Sequence, residues 1–209
     1  MKHEWKKNEK NIYCPARIPE LINIPTYPYF TIRGKGDPNG VFFAEYIAVL
    51  YSLSYAVKMS SKHGFSPDSY YDYTVYPLEG VWDIEDHAKT IFTGTVDKNS
   101  LVFHLMIRQP SFVDKVFAQE IIQRTQKRKP HHLLPLVNFD HIEDGQCIQM
   151  THVGTYDDES KSFQKMERFA VENNFMRVDE SHREIYLSDA RKTVPEKLNT
   201  VLRFRVKPI

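Results

Sequence analysis

Cysteine is scarce in this chain: Cys14 and Cys147 are the only two in 209 residues, far apart and without CxxC spacing. A disulfide scaffold is excluded, and reduced thiols in a cytosolic protein are the expectation. Charge of one sign is lacking too. A formal net charge of +1 and a pI near 7.8 leave no field that would steer a polyanion, so nucleic acid is not an expected partner. No window reaches the ~18 apolar residues of a membrane-crossing helix. The N-terminal MKHEWKKNEKN is charged with no apolar centre, so no membrane partner and a cytoplasmic location are expected. There is no GxSxG, GxGxxG or GKS/T run, which excludes a serine-hydrolase elbow, a dinucleotide site and a P-loop and leaves no cofactor to expect. The nine histidines show neither HxxxH nor HxH spacing, so no metal site is expected either.

Apolar residues at 41% and aromatics at 13% are enough for a full core, in one domain or two small ones. The aromatics concentrate in YYDYTVYPLEGVW, Tyr70 to Trp82. In an extended strand the period of two sends Tyr71, Tyr73, Val75 and Pro77 to one face with Glu79 in phase. HREIYLSD, His182 to Asp189, repeats the design, with Glu184, Tyr186 and Ser188 on one face and Arg183, Ile185 and Leu187 on the other. Core packing accounts for most single tyrosines, because aromatics suit strands. An ionised group rarely faces a core without a partner, which singles out Glu184. Glu79 precedes Gly80, a residue that would equally suit an exposed turn.

Around these two stretches the chain alternates strand and helix patterns. Residues 1–24 read as an arm lying along the body, and Tyr27 to Arg33 as a strand stopped by turn formers from Gly34 to Gly40. In residues 41–60 the set Phe43, Tyr46, Ile47, Leu50, Leu53, Val57 recurs at three and four, predicting a helix that Gly64 closes. A polar turn, Asp83 to Ser100, leads to a strand over Leu101 to Arg108. Ser111 with Asp114 predicts a capping box opening a helix that Pro130 stops. The basic cluster Arg124, Lys127, Arg128, Lys129 at its end suits the helix dipole. Residues 129–144 read as a crossover with a short helical turn. A strand over Cys147 to Val153, a capping box at Thr155 and Asp158, and a helix carrying Phe163, Met166, Phe169 and Ala170 then restore the earlier order. A brief helix near Pro195 and a last strand, Thr200 to Pro208, complete it.

HREIYLSD together with TVLRFRVKP resembles the closing segment of the GyrI-like small-molecule-binding family, and YTVYPLEGVW resembles the matching strand of its first half. The resemblance runs over residues 25–208 and implies an α+β fold: two strand-helix-strand-strand halves (25–110 and 145–208) related by a pseudo-twofold, joined by 111–144, with helices on one side of antiparallel sheets. It also implies small hydrophobic aromatic ligands, held in a groove between the halves by an aromatic cage of Tyr71, Tyr73, Trp82 and Tyr186. With no helix-turn-helix in residues 1–24, the chain resembles stand-alone members, which include hydrolases that open the cyclopropane ring of cyclopropanoid DNA alkylators. In that role Glu184, with Glu79, would orient or deprotonate the attacking water. Two other roles follow from the same resemblance: sequestering xenobiotics without catalysis, and a protein-interaction role such as gyrase inhibition.

Overall fold

A computed structural model describes residues 2–87 and 97–209. In chain order the strands are β1 (Glu20–Ile24), β2 (Tyr27–Lys35), β3 (Leu78–Ile84), β4 (Leu101–Arg108), β5 (Asn138–Ile142), β6 (Gly145–Val153), β7 (Phe175–Arg177), β8 (His182–Tyr186) and β9 (Asn199–Pro208). The longer helices are α1 (Val41–Met59), α2 (Lys115–Arg128) and α3 (Ser160–Glu172). The described pairings are antiparallel apart from an isolated bridge between His3 and Tyr73. The class is therefore α+β, as expected. The expected order also recurs: β2, α1, β3, β4, then β6, α3, β8, β9.

Two compact units divide the chain. The first comprises Met1–Glu4, Tyr27–Leu78 and Trp82–Ile142. Its strands run in the order β3, β4, β2, β5, and α1 packs on β2 and β4 and beside α2. Leu50, Leu53 and Val57 of α1 are buried with Ile32, Phe103, Leu105 and Ile107, the three-and-four spacing meeting the alternate residues of β4. By length and composition α1 is also the one described helix that could cross a membrane, contrary to the expectation that no window qualifies; its apolar face is used here in this core. Asp114, expected as the far half of a capping box, is itself the cap: its side chain accepts from the backbone N–H of Phe117 at 2.8 Å.

The stretch Tyr70 to Pro77 is corrected from a strand to an irregular segment. Strand β3 starts only at Leu78, and before it the bridge from Tyr73 to His3 is the one ladder contact among the described residues. Each tyrosine instead makes its own anchorage: the Tyr70 hydroxyl donates to the Lys58 carbonyl at 2.8 Å, and Tyr71 and Tyr73 pack edge-on against Phe112. Residues 129–144 likewise hold more than the expected helical turn, since β5 pairs with β2 from Tyr27↔Ile142 to Thr31↔Asn138. The turn expected over Asp83 to Ser100 lies partly outside the described residues.

The second unit comprises Trp5–Thr26, Glu79–Val81 and Glu143–Ile209, with strand order β1, β6, β9, β8, β3 and with β7 pairing β9. The arm is corrected here: Glu20–Ile24 pairs with β6, and Trp5, Ile12 and Tyr13 from two one-turn helices are buried. Helix α3 lays Met166 and Ala170 on Ile148 and Met150 of β6 and Leu202, Phe204 and Val206 of β9, with Phe163, Phe169 and Phe175 at the margin. Burying these side chains supplies the main stabilisation of the unit, at about 1.5–3 kcal/mol for each large one.

Gly34 gives the first unit a sharp test. It sits opposite Phe103 in the β2–β4 register, and a Cβ there would stand 2.4 Å from the Phe103 ring and 2.9 Å from Tyr46. Phe103 has no room to yield, because Phe43, Tyr46 and Trp82 surround it at 5.2, 5.3 and 5.5 Å between centroids. Gly34→Ala is expected to cost about 1–3 kcal/mol in chemical denaturation, and Phe103→Leu in the same chain is expected to recover part of that loss. A Gly34→Ala protein as stable as the parent would contradict this packing.

Candidate functional site

The register of β8 on β9 sorts the charged residues of the second unit onto two faces. Arg183 lies opposite Arg203, and Arg203 opposite Gln149, which in turn lies opposite Glu20. Directly opposed residues share a face, so these four form a polar row across β8, β9, β6 and β1. Hydrogen bonds join three of them: Gln149 donates to Glu20 at 2.8 Å, and Arg203 donates to Gln149 Oε1 at 2.8 and 3.1 Å. Asp144 accepts from Arg183 at 2.6 Å with Arg203 at 3.8 Å, and Arg183 donates to Glu79 at 2.8 Å. Two buried guanidinium groups thus balance two buried carboxylates. Burial acts to raise the Asp144 carboxyl, but Arg183 and Arg203 outweigh it and hold it below its ordinary value. Burial pushes Glu79 up, with Arg183 and Arg203 pulling the other way. A shallow depression on this face is walled by Asp144, Arg183, Arg203 and Arg205, groups engaged in these pairs and in the Arg205–Asp179 contact.

Glu184 is one residue on and faces the other way. It lies opposite Leu202, which lies opposite Met150, so its carboxylate is on the face covered by α3. There His182 Nε2 stands 3.1 Å from Glu184 Oε1, and the Phe163 ring meets the His182 ring edge to face at 4.7 Å. Glu159, at the head of α3, completes the group: one donor or acceptor atom from each of Glu159, His182 and Glu184 lies within 4.8 Å of the others. Glu159 and Glu184 are 6% and 8% exposed. Burial first, then Glu184 and Asp157, push the Glu159 carboxyl up to about 10. Two full negative charges at that separation would repel by roughly 3 kcal/mol even at an effective dielectric near 20. Beside them Tyr156 and Tyr186 meet edge to face at 6.0 Å, and Tyr156 is 41% exposed. Burial and the charges of Glu184, Glu159 and Asp189 push the Tyr156 phenol up to about 12, so it keeps its proton as a donor at neutral pH. The arrangement offers aromatic faces on a partly exposed tyrosine pair, backed by a carboxylate.

Of the residues expected from sequence, Glu184 and Tyr186 belong to this group. Glu79 does not: it is corrected from a second catalytic carboxylate to the buried partner of Arg183 on the opposite face. Tyr73 and Trp82 are corrected from cage walls to core residues of the first unit. Tyr73 is 1% exposed, with its hydroxyl donating to the Ser54 carbonyl at 3.4 Å and Lys58 5.4 Å from its ring, and Trp82 is buried against Phe43 and Phe103. Tyr71 stays half-buried beside His3, Tyr73 and Phe112. Elsewhere in the first unit Arg108 already fills a slot between Tyr27 and Tyr76, 3.3 and 4.7 Å from their rings. Sequence reasoning missed Tyr156, Glu159 and His182. The signal was Tyr156 within, and Glu159 just after, the pair Thr155 and Asp158; the capping box expected there is corrected, since the Thr155 side chain caps no backbone N–H, its hydroxyl donates to Asp158 at 2.9 Å, and the helix starts only at Ser160. Histidine–carboxylate trios also form at Glu45, His131 and His132, which spacing within the sequence could not reveal. That trio is largely exposed, whereas the one at Glu159, His182 and Glu184 is largely buried.

The profile of the GyrI-like small molecule binding domain matches residues 18–207. Two crystal structures described as hydrolases from Listeria innocua are similar to the chain: one is 32% identical with a TM-score of 0.88, the other 34% with 0.89, each covering 99% of this chain and 100% of its own. The EcmrR C-terminal domain, 15% identical, shares the fold at a TM-score of 0.51 over 91% of this chain and 98% of that one. No similar sequence is found among curated proteins.

The polar row carries its own prediction. Arg183→Met leaves Glu79 and Asp144 buried without their shared cation and is expected to cost about 3–5 kcal/mol in urea denaturation. Asp144 is held below its unfolded value, so its stabilising contribution is present above pH 3.8 and is lost as the pH falls through the lower, folded value. Asp144→Asn is expected to remove that part of the acid-side loss; a variant with the parent's acid profile would contradict the pairing.

Proposed function

The chain belongs to the GyrI-like small molecule binding domain family, and from that premise we propose that it binds planar hydrophobic xenobiotics at the Tyr156–Tyr186–Glu184 site and opens strained rings by hydrolysis. The observation that carries the reading is the accessible edge-to-face tyrosine pair beside a carboxylate that is 8% exposed. Two relatives over 30% identical are described as hydrolases, which supports catalysis over sequestration. Tyrosine faces take up a flat guest through dispersion and area burial, and a carboxylate behind them receives a proton or a hydrogen bond.

For a cyclopropane conjugated to a carbonyl, the chemistry needs little apparatus. Water adds to the least hindered ring carbon as that carbon's ring bond breaks, and the electron pair moves onto the carbonyl oxygen to give a phenol. Relief of ring strain drives the step. Glu184 takes the proton that the water loses. Tyr156, still protonated, donates to the oxygen where negative charge develops. Tyr186 holds the flat substrate in register with the water.

The test is incubation of the pure protein with a cyclopropanoid alkylator and mass spectrometry for the water adduct, with dye-displacement fluorescence for affinity. Glu184→Gln is expected to lower turnover by roughly 10²-fold or more with a much smaller loss of affinity. Tyr186→Ala and Tyr156→Phe are expected to weaken binding and turnover respectively, and Tyr71→Ala shows whether the half-buried ring of the first unit also contributes. Dye affinity without any water adduct would make the protein a sequestering module, and unchanged affinity in Tyr186→Ala and Glu184→Ala would overturn the site.

A further inference from the structure

Among the described residues, two carboxylates on the α3 face of the second unit, Glu159 and Glu184, make no ion pair with an Arg or a Lys. Arg183 pairs with Glu79 and Asp144 on the opposite face, and on the α3 side Arg177 pairs with Glu167. Glu184 has His182 Nε2 at 3.1 Å. Glu159 has less: its Oε1 is buried without a hydrogen-bond partner. The groups around Glu159 are Tyr156 and Asp157 from the turn before α3 and His182 and Glu184 from β8, and none of them is an Arg or a Lys. Asp158, next along the turn, is bound to Thr155 and Lys161. An ionised carboxylate in such a place would forfeit its hydration and gain nothing in return, whereas a carboxylic acid loses far less.

We propose that Glu159 keeps its proton across the neutral pH range and so adds no second charge beside Glu184 and His182. Glu159 is then a positioning residue. By remaining neutral it spares Glu184 a second buried charge within 4.8 Å. That functional consequence rests on the reading given above; the location of the proton does not, and it can be measured without any substrate.

Three readouts test it. Infrared spectroscopy of the full chain at neutral pH is expected to show a protonated carboxyl band that Glu159→Gln removes and Glu184→Gln does not. Thermal melts supply the second. A carboxyl whose folded value lies near 10, against 4.5 when unfolded, keeps its proton in the native state only, so stability falls as pH rises between those values. Tm of the parent is expected to drop by several degrees from pH 5 to 9, and Glu159→Gln, which mimics the neutral acid, to drop measurably less. The third is the acid limb of the turnover profile, which is expected to hold its position in Glu159→Gln because a neutral neighbour replaces a neutral neighbour. A parent without the band, an unaltered melting slope in the variant, or an acid limb displaced by a unit or more would each overturn the proposal. So would Zn²⁺ or Mn²⁺ raising the Tm of the parent but not of Glu159→Gln, since a metal ion would then be the missing counter-charge. If Glu159→Gln does not fold, Glu159→Met and the parent's own infrared spectrum decide the matter. Loss of the hydrolytic reading alone would leave the first two results untouched.

Discussion

The second unit depends on one alignment, that of β8 against β9, which sets Arg183 opposite Arg203 and Glu184 opposite Leu202. Strand side chains alternate between faces, so this single choice decides which charges enter the polar row and which carboxylate lies under α3. A slip of one residue would put Arg183 among Leu202 and Met150 and Glu184 among the guanidinium groups. Both mistakes would be costly. The first would bury a cation in the apolar cluster, and the second would leave Glu79 and Asp144 without theirs.

The two faces therefore have different work. On one, Glu20, Gln149, Arg203, Asp144, Arg183 and Glu79 are linked by hydrogen bonds and ion pairs, with Glu79 Oε1 and Asp144 Oδ2 buried without a hydrogen bond, and the carbonyls of Asn11 and Ile12 accept from Gln149 and Arg203 at 2.6 and 2.9 Å, which ties the N-terminal turns to the sheet. On the other, the apolar packing of Met166, Met150 and Leu202 ends where Glu184, His182 and Glu159 begin. Glu184 sits at the margin of a core and beside half-open tyrosines. That position gives a carboxylate low hydration while leaving an edge through which a flat molecule can approach. In the first unit the aromatic surfaces are turned to a different use, with Lys58 and Arg108 lying over Tyr73, Tyr27 and Tyr76.

Much of this was legible in the sequence where periodicity is strong and local. The expected bounds of β4 are the observed ones, the helix patterns found α1 and α3, and the alternation in HREIY correctly put Glu184 and Tyr186 on one face and Arg183 on the other. The losses have physical causes. Strands β1 and β5 are only five residues each, and their sequences do not follow the pleat: in β1 Leu21 lies on the exposed side and Glu20 on the more buried one, so the apolar–polar alternation that marks a strand is missing. The phase carried from Tyr71 to Glu79 failed because the backbone before Leu78 is irregular, and a period of two does not survive a segment without a ladder. The partner of Glu79 is Arg183, 104 residues away, a pairing no local pattern contains. Glu159 was hidden because the capping box expected at Thr155 and Asp158 placed the helix start before it, whereas the helix begins at Ser160.

The central claim is that the two glutamates marked out by the sequence have separate roles, Glu79 holding the polar row and Glu184 serving the ligand. The most direct measurement sets urea stability beside dye affinity and turnover in Glu79→Gln and Glu184→Gln. The account predicts that Glu79→Gln loses stability while the folded protein keeps its affinity and turnover, and that Glu184→Gln loses turnover with little change in stability. Loss of turnover in Glu79→Gln at full stability, or equal behaviour of the two variants, would contradict it.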